Sequence, residues 1–457
     1  MEETIAQISK EFIAKLITRM GSGGSFSKME KGIEQEVAKC ATKIMSLYLE
    51  QVDRDIVRNK IGRRRSGYAI ERRRDERKIL TIFGEVNYHR TYYKRDSGGY
   101  EYLVDRAMGI DHRIRLSDWL SLSLVNAAKE MSYAKASRYT GKETVSSQSI
   151  MGRVRESMTE KDSVTIPRRK VPELHIDADE AHITLHSGNK SEVPLISVYE
   201  GIDHHGRRHY CREVFHISEY GKSPDDLWEQ VVSEIDKRYD LEGTKIYLHG
   251  DGASWIRVGL EWLPRAVFVL DKYHKNKAIM AMTAGVDDKE VRDALDIAIR
   301  KALNHEDMEF FGLVTNSLCI DIPERRDIIL HQANYLRRFV KGISICRRDP
   351  SANNGGCTEP HVSHVLSSRL SNRPMTWSKA TLERLAPILA AGRAGSTGKT
   401  KLVATGALPK SIRKTIDNTN KAFHRYTLGL TSPEAIGTLP LLTGKVTYTQ
   451  QVLKRIN

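Results

Sequence analysis

The chain is poor in cysteine, and it has no hydrophobic run long enough to cross a bilayer. Its five cysteines are scattered over 457 residues without a regular spacing, a usage that suits a reducing compartment better than a disulfide framework. No stretch reaches 18 consecutive apolar residues, so a membrane-spanning helix is not expected. The acidic start at Glu2 and Glu3 is unlike a secretory signal. We therefore expect a cytoplasmic protein.

Charge is distributed unevenly along the chain. Lysine and arginine exceed aspartate and glutamate by fifteen, and the segment 58–95 alone holds thirteen basic residues against four acidic ones. A charge density of this kind indicates a polyanionic partner, most simply nucleic acid. Apolar residues make up 40% of the chain, which excludes general disorder, and the length predicts about two to four domains.

Residues 61–112 predict a basic β-hairpin. Alternating apolar residues between Ile79 and Tyr93 are interrupted at Gly84, which is typical of a hairpin turn. Tyrosines interleave with basic residues, so we expect the tyrosines to pack or stack and the basic side chains to contact phosphates. Core tyrosines with solvated arginines are the alternative. The candidate phosphate-binding residues are Arg63, Arg64, Arg65, Arg72, Arg73, Arg74, Arg90, Lys94 and Arg95.

Three short helices are predicted over residues 113–165. They are expected at about 117–129, at 132–139 and from about 146 through Arg155, with a turn at 140–142 and a linker at 161–168. This order predicts a helix-turn-helix, in which Gln148 and Arg153 on the third helix would meet DNA bases. Three short helices are common, so the interpretation depends on the basic segment that precedes them.

Carboxylates lie at the ends of two predicted strands. Asp177, Asp179 and Glu180 follow the apolar residues of one strand, and Asp251 ends the strand that begins at Lys245. Repelling carboxylates at strand ends are usually neutralised by a divalent cation, although aspartate is also an ordinary turn residue. Glu359, at the start of a later helix, is a third candidate ligand. Three such residues could hold two Mg²⁺ or Mn²⁺ ions for phosphodiester chemistry.

The order of predicted elements around these acids indicates an α/β fold of the ribonuclease H-like type. Three strands come first, followed by a helix capped by Ser223 and then by alternating strands and helices. Residues 275–345 are predicted to be helical throughout, as an insertion between the last strand and the final helix. The three early strands are expected at 174–187, 193–202 and 209–217, and the two later ones at 245–248 and 266–271.

Five segments together carry a family resemblance: Gly84–Arg95, His175–His182, His249–Ile256, Leu270–Lys275 and Glu359–Arg369. With them the chain resembles the DDE transposases of bacterial insertion sequences, and it looks most like the ISLre-type family. The motif Asp271-x-x-His274 resembles the signature that follows the second catalytic aspartate in related transposases. Pro360 is a departure, because glycine is expected after the glutamate of this motif.

The resemblance implies that Asp179, Asp251 and Glu359 are the catalytic, metal-binding triad, with Asp177 as the alternative to Asp179. Its implied partners are two Mg²⁺ or Mn²⁺ ions, double-stranded DNA with the element's terminal inverted repeats, and target DNA. A homo-oligomer on DNA and a cytoplasmic, nucleoid-associated location follow from the same likeness. A metal-dependent nuclease that does not join strands, and a DNA-binding regulator without catalysis, remain alternatives.

Two further groups of residues are candidates for smaller sites. Asp271 and His274 either order the active site or contact the DNA end, or they are an ordinary N-cap and turn histidine. A zinc site at Cys346, Cys357, His361 and His364 is not expected, because the spacing fits no standard finger. The patterns divide the chain into a helical region (1–60), a basic hairpin region (61–112), a helix-turn-helix (113–165), a catalytic core (166–400) and a C-terminal region (401–457).

Overall fold

The computed structural model describes residues 2–21, 25–110, 115–138, 145–160, 167–206, 208–353, 355–372, 375–392, 399–401 and 408–430. The predicted turn at 140–142 and most of the predicted linker at 161–168 lie outside these residues. None of the described helices is both long and apolar enough to cross a membrane. The chain divides into unit 1, made of Met1–Ser123, Arg138–Val145 and Val403–Asn457, and unit 2, made of Leu124–Ser137 and Ser146–Leu402.

Long helices and an antiparallel sheet begin the chain. Strands β1 and β2 pair with Thr81 opposite Gly84, which confirms the predicted hairpin. A third strand, β3, pairs with β2. The first elements are α1 (Glu2–Gly21), α2 (Phe26–Arg58), α3 (Lys60–Arg65), β1 (Tyr68–Thr81), β2 (Gly84–Arg95), β3 (Tyr100–Tyr102), α4 (Leu103–Ala107), α5 (Asp118–Glu130), α6 (Tyr133–Ala136) and α7 (Ser147–Glu156).

The middle of the chain supplies most of the strands. They are interrupted by α8, which begins as predicted: the Ser223 hydroxyl caps it, and proline and two aspartates occupy its first turn. The elements are β4 (Met158–Glu160), β5 (Arg169–Lys170), β6 (Glu173–Thr184), β7 (Lys190–Tyr199), β8 (Ile202–His205), β9 (Arg208–Cys211), β10 (Phe215–Ile217), α8 (Pro224–Arg238), β11 (Tyr239–Asp240), β12 (Lys245–Gly250), α9 (Ser254–Trp262) and β13 (Ala266–Leu270).

The last part of the chain is mainly helical, and the helices predicted over residues 275–345 are present. A π-helical turn, Ser363–Ser367, joins α15 to α16. The elements are α10 (Lys272–Thr283), α11 (Lys289–His305), α12 (Met308–Asp321), α13 (Arg326–Arg338), α14 (Val340–Arg348), α15 (Thr358–Val362), α16 (Ser368–Leu370), α17 (Lys379–Ala391), β14 (Lys399–Lys401) and α18 (Lys410–Leu430).

Unit 1 is built around α2, the hairpin and α18. Tyr88 and Tyr93 are buried in its apolar core, together with residues of α2, α4 and α18. Helix α18 is further fixed to α2 by hydrogen bonds from Thr419 Oγ1 to Asp55 Oδ2 at 2.9 Å and from Asn59 Nδ2 to Thr415 Oγ1 at 2.9 Å. The C-terminal region therefore belongs to the same unit as the N-terminal helices.

Unit 2 contains a five-stranded mixed sheet in the order β10-β7-β6-β12-β13. The first three strands pair antiparallel, whereas β6, β12 and β13 run parallel. The predicted third strand is wrong in its extent, because residues 209–217 divide into β9, which pairs with β8 as a separate hairpin, and β10. Apolar residues of β6 and its neighbouring strands pack with α8 and α9 in one core. The inserted helices form a second core.

Candidate functional site

The two aspartates of β6 lie on one face of the strand, because alternate residues of a strand share a face. The opposite face carries Ile176 and Ala178 into the core beneath α8 and α9. Strand β12 runs parallel beside β6 with His249 opposite Asp177. Continuing that register by two residues brings Asp251, just past the end of β12, next to Asp179. The neighbouring strands thus supply a pair of carboxylates.

The carboxylate pair is electrostatically strained. Only 9% of Asp179 is exposed to solvent. Burial raises the pKa of Asp179 to about 6, and the negative charges of Glu180 and Asp251 contribute to the rise. The Asp179 carboxylate accepts one hydrogen bond, 2.9 Å long, from the backbone N–H of Glu180. Hard oxygen ligands that repel each other are the arrangement that a divalent cation relieves.

Asp251 is held by the turn that follows it and by the inserted helices. Its Oδ1 accepts a 2.8 Å hydrogen bond from the Ala253 N–H, and its carbonyl accepts one of 2.8 Å from the Tyr335 hydroxyl. Gly252 has a φ of +88°, and a Cβ atom there would lie 2.1 Å from Cζ of Phe339. Only glycine fits this close approach. The insertion therefore fixes the turn that carries Asp251.

Asp177, in contrast, is buried, and both of its carboxylate oxygens accept hydrogen bonds. It is 1% exposed. The Tyr199 hydroxyl lies 3.0 Å from both carboxylate oxygens, and the N–H groups of Cys357 and Gly356 donate at 2.8 and 3.3 Å. Burial alone would raise the pKa of Asp177, but His361, whose Nδ1 lies 3.3 Å away, and the other neighbours hold it below its ordinary value. These contacts give Asp177 a structural role, whereas Asp179 lies beside Asp251.

A buried histidine pair supports this region, and sequence reasoning missed it. His175 Nδ1 lies 3.1 Å from His249 Nε2. Burial lowers the pKa of His249 to about 4 and lowers that of His175 as well, so the pair is neutral at pH 7. A Cβ atom on Gly355 would lie 2.4 Å from either ring, so glycine is required there. The repeated spacing was the available signal, since each histidine precedes a candidate aspartate by two residues, Asp177 in one strand and Asp251 in the other.

Asp271 caps a helix and fastens a second element. Its carboxylate accepts hydrogen bonds of 2.8 and 3.2 Å from the N–H groups of Tyr273 and His274 in the first turn of α10, as an N-cap does, and it also accepts one from the Thr358 hydroxyl. His274 Nδ1 lies 3.3 Å from the same carboxylate. The hydrogen bond to Asp271 raises the pKa of His274, and the charges of Asp179 and Asp251 add to the rise. Its neighbours therefore stabilise the protonated form of His274 relative to a free imidazole.

Glu359 lies in the first turn of α15 and is exposed. Each of the three residues before it is fastened to the sheet region, Gly356 and Cys357 by Asp177, and Thr358 by Asp271. Among the described residues, no group of three or more histidine, cysteine, aspartate or glutamate side chains is close enough to hold a metal ion. The register of β6 and β12 places Asp179 and Asp251 side by side, but in the part of the chain that the structure describes Glu359 does not join them in a group that could hold a metal ion.

Two of the predicted phosphate-binding residues are buried, which removes them from that role. Arg63 is 5% exposed and Arg90 is 7% exposed. Arg90 forms an ion pair with Asp105, and its guanidinium carbon lies 3.5 Å from the centre of the Tyr102 ring. Charge density along the sequence did not reveal this pairing, because Asp105 is fifteen residues away.

The other predicted basic residues reach the surface, some with acidic partners. Arg72 makes two hydrogen bonds of 2.7 Å to Asp75, and Arg95 lies 3.6 Å from Glu101. Of the predicted set, Arg64, Arg65, Arg73, Arg74 and Lys94 are exposed and form no ion pair with another described residue.

The predicted base-reading residues lie on α7, which begins after the Ser146 cap as expected. Gln148 is exposed on its first turn. Arg153 is 12% exposed and forms a 2.7 Å ion pair with Glu156, so it is less accessible than predicted. Helix α7 is joined to α17 by Arg155, which donates to Ser378 and Thr381 at 3.0 and 3.1 Å.

The sheet and its carboxylate pair define unit 2 as a mixed α/β unit with a candidate acidic site. The chain belongs to the uncharacterised protein family UPF0236, whose profile matches residues 19–404.

Relatives of similar length support this membership. The chain is 30% identical to UPF0236 protein TTE2489 of Caldanaerobacter subterraneus subsp. tengcongensis, over 96% of this chain and 94% of that protein. It is 29% identical to another protein of the same organism, named UPF0236 protein TTE0610/TTE0881/TTE1053/TTE2432, over 100% of this chain and 97% of that protein. A third relative, the UPF0236 protein in the vanSb 3′ region of Streptococcus gallolyticus, is 24% identical over 83% of this chain and 86% of its own length.

Proposed function

We propose that the chain is a DDE-type DNA transposase that binds the ends of an insertion sequence and catalyses metal-dependent strand cleavage and transfer. The observation that carries the proposal is the pair of neighbouring carboxylates, Asp179 on β6 and Asp251 just past the end of the adjacent parallel strand β12. Glu359 follows a segment that is fastened to the same sheet by two further aspartates. Carboxylates from two neighbouring strands and a later helix are a suitable ligand set for magnesium.

The strand order supports a ribonuclease H-like core. Three antiparallel strands lie beside two parallel ones, and the helix that carries Glu359 comes after all of them. The inserted helices interrupt the chain between β13 and α15, which is where the sequence predicted an insertion. In this proposal the insertion is part of the site, because Tyr335 on α13 binds the backbone of Asp251.

Residues of the site would act on the DNA in two steps. Asp179, Asp251 and Glu359 would hold two Mg²⁺ or Mn²⁺ ions, which when bound supply an activated water or hydroxyl and stabilise the leaving oxygen. Hydrolysis of one phosphodiester bond frees a 3′-hydroxyl at the element end. That hydroxyl then displaces a 3′-oxygen from a target phosphate, so one phosphodiester bond forms as another breaks. His274 and Asp271 would order the carboxylates through their charge and hydrogen bonds.

The name of one relative gives independent support. It joins four designations, TTE0610/TTE0881/TTE1053/TTE2432, and that of another relative joins eleven. Joined designations of this form indicate one protein sequence encoded at several places in a genome. An element that copies or moves itself produces that pattern, whereas a housekeeping regulator does not require it. We infer that the chain described here belongs to such an element.

DNA recognition is assigned to the basic residues of unit 1 and to α7. The exposed arginines of α3 and β1 would contact phosphates without regard to sequence, and Gln148 would contribute to recognition of the terminal inverted repeats through a helix-turn-helix of α5, α6 and α7. A homo-oligomer that holds two element ends beside target DNA, in the nucleoid, completes the proposal.

Because Glu359 does not join the carboxylate pair in one metal-binding group among the described residues, two other functions remain candidates. A DNA-binding regulator would need no third ligand, and a nuclease would cut without joining. The deciding experiment incubates the protein with a labelled duplex that carries the DNA flanking its gene, a target plasmid and Mg²⁺. We expect cleaved ends and plasmid-joined product. Binding without cleavage would favour the regulator, and cleavage without joined product would favour the nuclease.

A further inference from the structure

We propose that a pocket between α2 and the β1–β2 hairpin of unit 1 is a seat for a single phosphate group of the DNA backbone. The inference rests on the proposed function and assigns it a contact site. Helix α2 lines one side of the pocket with Arg54 and Arg58, and strand β1 lines the other with Arg73 and Arg74, around a cavity of ≈ 370 Å³. Neither Arg54 nor Arg58 is among the candidate phosphate-binding residues predicted from the sequence.

The backbone of β1 is distorted at this pocket. The pairing register of β1 with β2 shifts between Arg72 and Asp75, which marks a bulge. Within it Arg74 adopts a φ of +62°, a left-handed conformation that disfavours residues with a Cβ atom and favours glycine. Strain of this kind persists where another requirement outweighs it, and it clusters at binding sites. Here it turns two consecutive arginines into one pocket.

The two bulge arginines are free to bind an anion. Arg73 and Arg74 are exposed, and within the described part of the chain neither has a hydrogen-bond or ion-pair partner. Arg54 on the facing wall is oriented by Gln51, which accepts its Nε and Nη2 hydrogens at 3.3 and 3.0 Å. Arg58 lies 3.7 Å from Asp55. Arginines therefore line both walls of the pocket.

The carboxylates in the pocket already have partners. Asp53 accepts hydrogen bonds from the Thr91 N–H at 3.0 Å and the Thr91 hydroxyl at 2.7 Å. Glu50 lies 2.9 Å from Nδ1 of His89. Glu50 also lies 3.7 Å from Nη1 of Arg54, so the positive charge of the pocket comes mainly from Arg73 and Arg74, whose side chains form no ion pair with a described residue. A tetrahedral oxyanion matches this lining, because the planar fork of arginine binds phosphate oxygens in pairs.

The phosphate could come from DNA or from solution. DNA is favoured because further exposed basic residues, Arg64, Arg65 and Lys94, lie on the neighbouring α3 and β2 of the same unit, as a backbone path requires. Free inorganic phosphate would need only the pocket itself.

Arg74→Gly tests the proposal, because glycine relieves the left-handed conformation while it removes the guanidinium. The melting temperature should stay equal or rise. Affinity for a duplex, measured by fluorescence anisotropy at about 0.1 M salt, should fall on the order of ten-fold, and the slope of log K against log salt should decrease by about one. Arg413→Ala, which removes an exposed arginine of α18, is the matched control and should change both values far less.

Each other outcome has a definite meaning. An unchanged affinity and slope in Arg74→Gly would overturn the phosphate seat, and so would an equal loss in Arg413→Ala, which would indicate a general charge effect. If millimolar inorganic phosphate stabilises the wild type but not Arg74→Gly, while duplex binding is unchanged, the ligand is free phosphate and the DNA assignment is wrong. If the wild type cuts element ends although Arg74→Gly binds normally, only the pocket inference fails. A wild type that binds no duplex contradicts both.

Discussion

The carboxylate of Asp177 accepts a 2.8 Å hydrogen bond from the backbone N–H of Cys357, two residues before Glu359. The next residue, Thr358, donates to the carboxylate of Asp271. The most buried aspartates of unit 2 thus hold the start of α15 against the sheet. The less buried pair, Asp179 and Asp251, accepts few hydrogen bonds, and its two carboxylates repel each other. Similar residues in similar positions therefore have opposite roles.

Asp177→Asn should destabilise the protein. The amide keeps the size of the side chain, but its NH₂ group faces donors, namely the Tyr199 hydroxyl and the N–H of Cys357, and unsatisfied buried donors are costly. We expect the free energy of unfolding to fall by about 2–4 kcal/mol in urea titrations with EDTA present. A loss below about 0.5 kcal/mol would show that these hydrogen bonds do not fasten α15.

Asp179→Asn, in contrast, should raise the free energy of unfolding of the metal-free protein at neutral pH. The folded-state pKa of Asp179 is about 6, above the value of 3.8 expected when unfolded. The folded state therefore binds this proton more tightly, and ionisation costs stability progressively from about pH 4 to pH 6 and fully above that. The free energy of unfolding of the variant should exceed that of the wild type by on the order of 1–3 kcal/mol at pH 7.5 and by almost nothing at pH 4. A variant less stable than the wild type at pH 7.5 contradicts this assignment.

Magnesium should stabilise the wild type through the same carboxylates. Because the ion binds the folded state alone, millimolar Mg²⁺ should raise the wild-type melting temperature at pH 7.5, and Asp179→Asn and Asp251→Asn should each abolish the increase. Asp293→Asn, which alters an exposed aspartate of α11, is the control and should respond as the wild type does. An increase that survives in Asp251→Asn would place the ion elsewhere.

Much of the fold could be predicted from local patterns. The hairpin at Gly84, the Ser223 cap and the strand that ends before Asp251 each depend on turn, cap or alternation signals within a few residues. The position of the carboxylate pair also followed, because both aspartates end or interrupt apolar strands. Each of these features depends on neighbouring residues, so it can be predicted from a short stretch of sequence.

The features that sequence reasoning missed depend on distant partners. Arg90 is buried because it meets Asp105 and Tyr102, and no periodicity reveals that pairing. The packing of α18 against α2 could not be predicted either, because an apolar face on a helix does not identify the element that it packs against. The structural role of Asp177 required the position of Cys357, 180 residues further along the chain. Same-face spacing alone could not separate it from Asp179.

The comparison of Glu359→Gln with wild type, in a cleavage and joining assay on labelled element ends, tests the central claim most directly. Glutamine keeps the size of the side chain but removes one metal-binding charge. Glu309→Gln, an exposed glutamate on α12, is the matched control. We predict that Glu359→Gln binds element ends as the wild type does and neither cuts nor joins them, while Glu309→Gln does both normally. Cleavage by Glu359→Gln at the wild-type rate would contradict the account, because the third carboxylate of the site would then lie elsewhere.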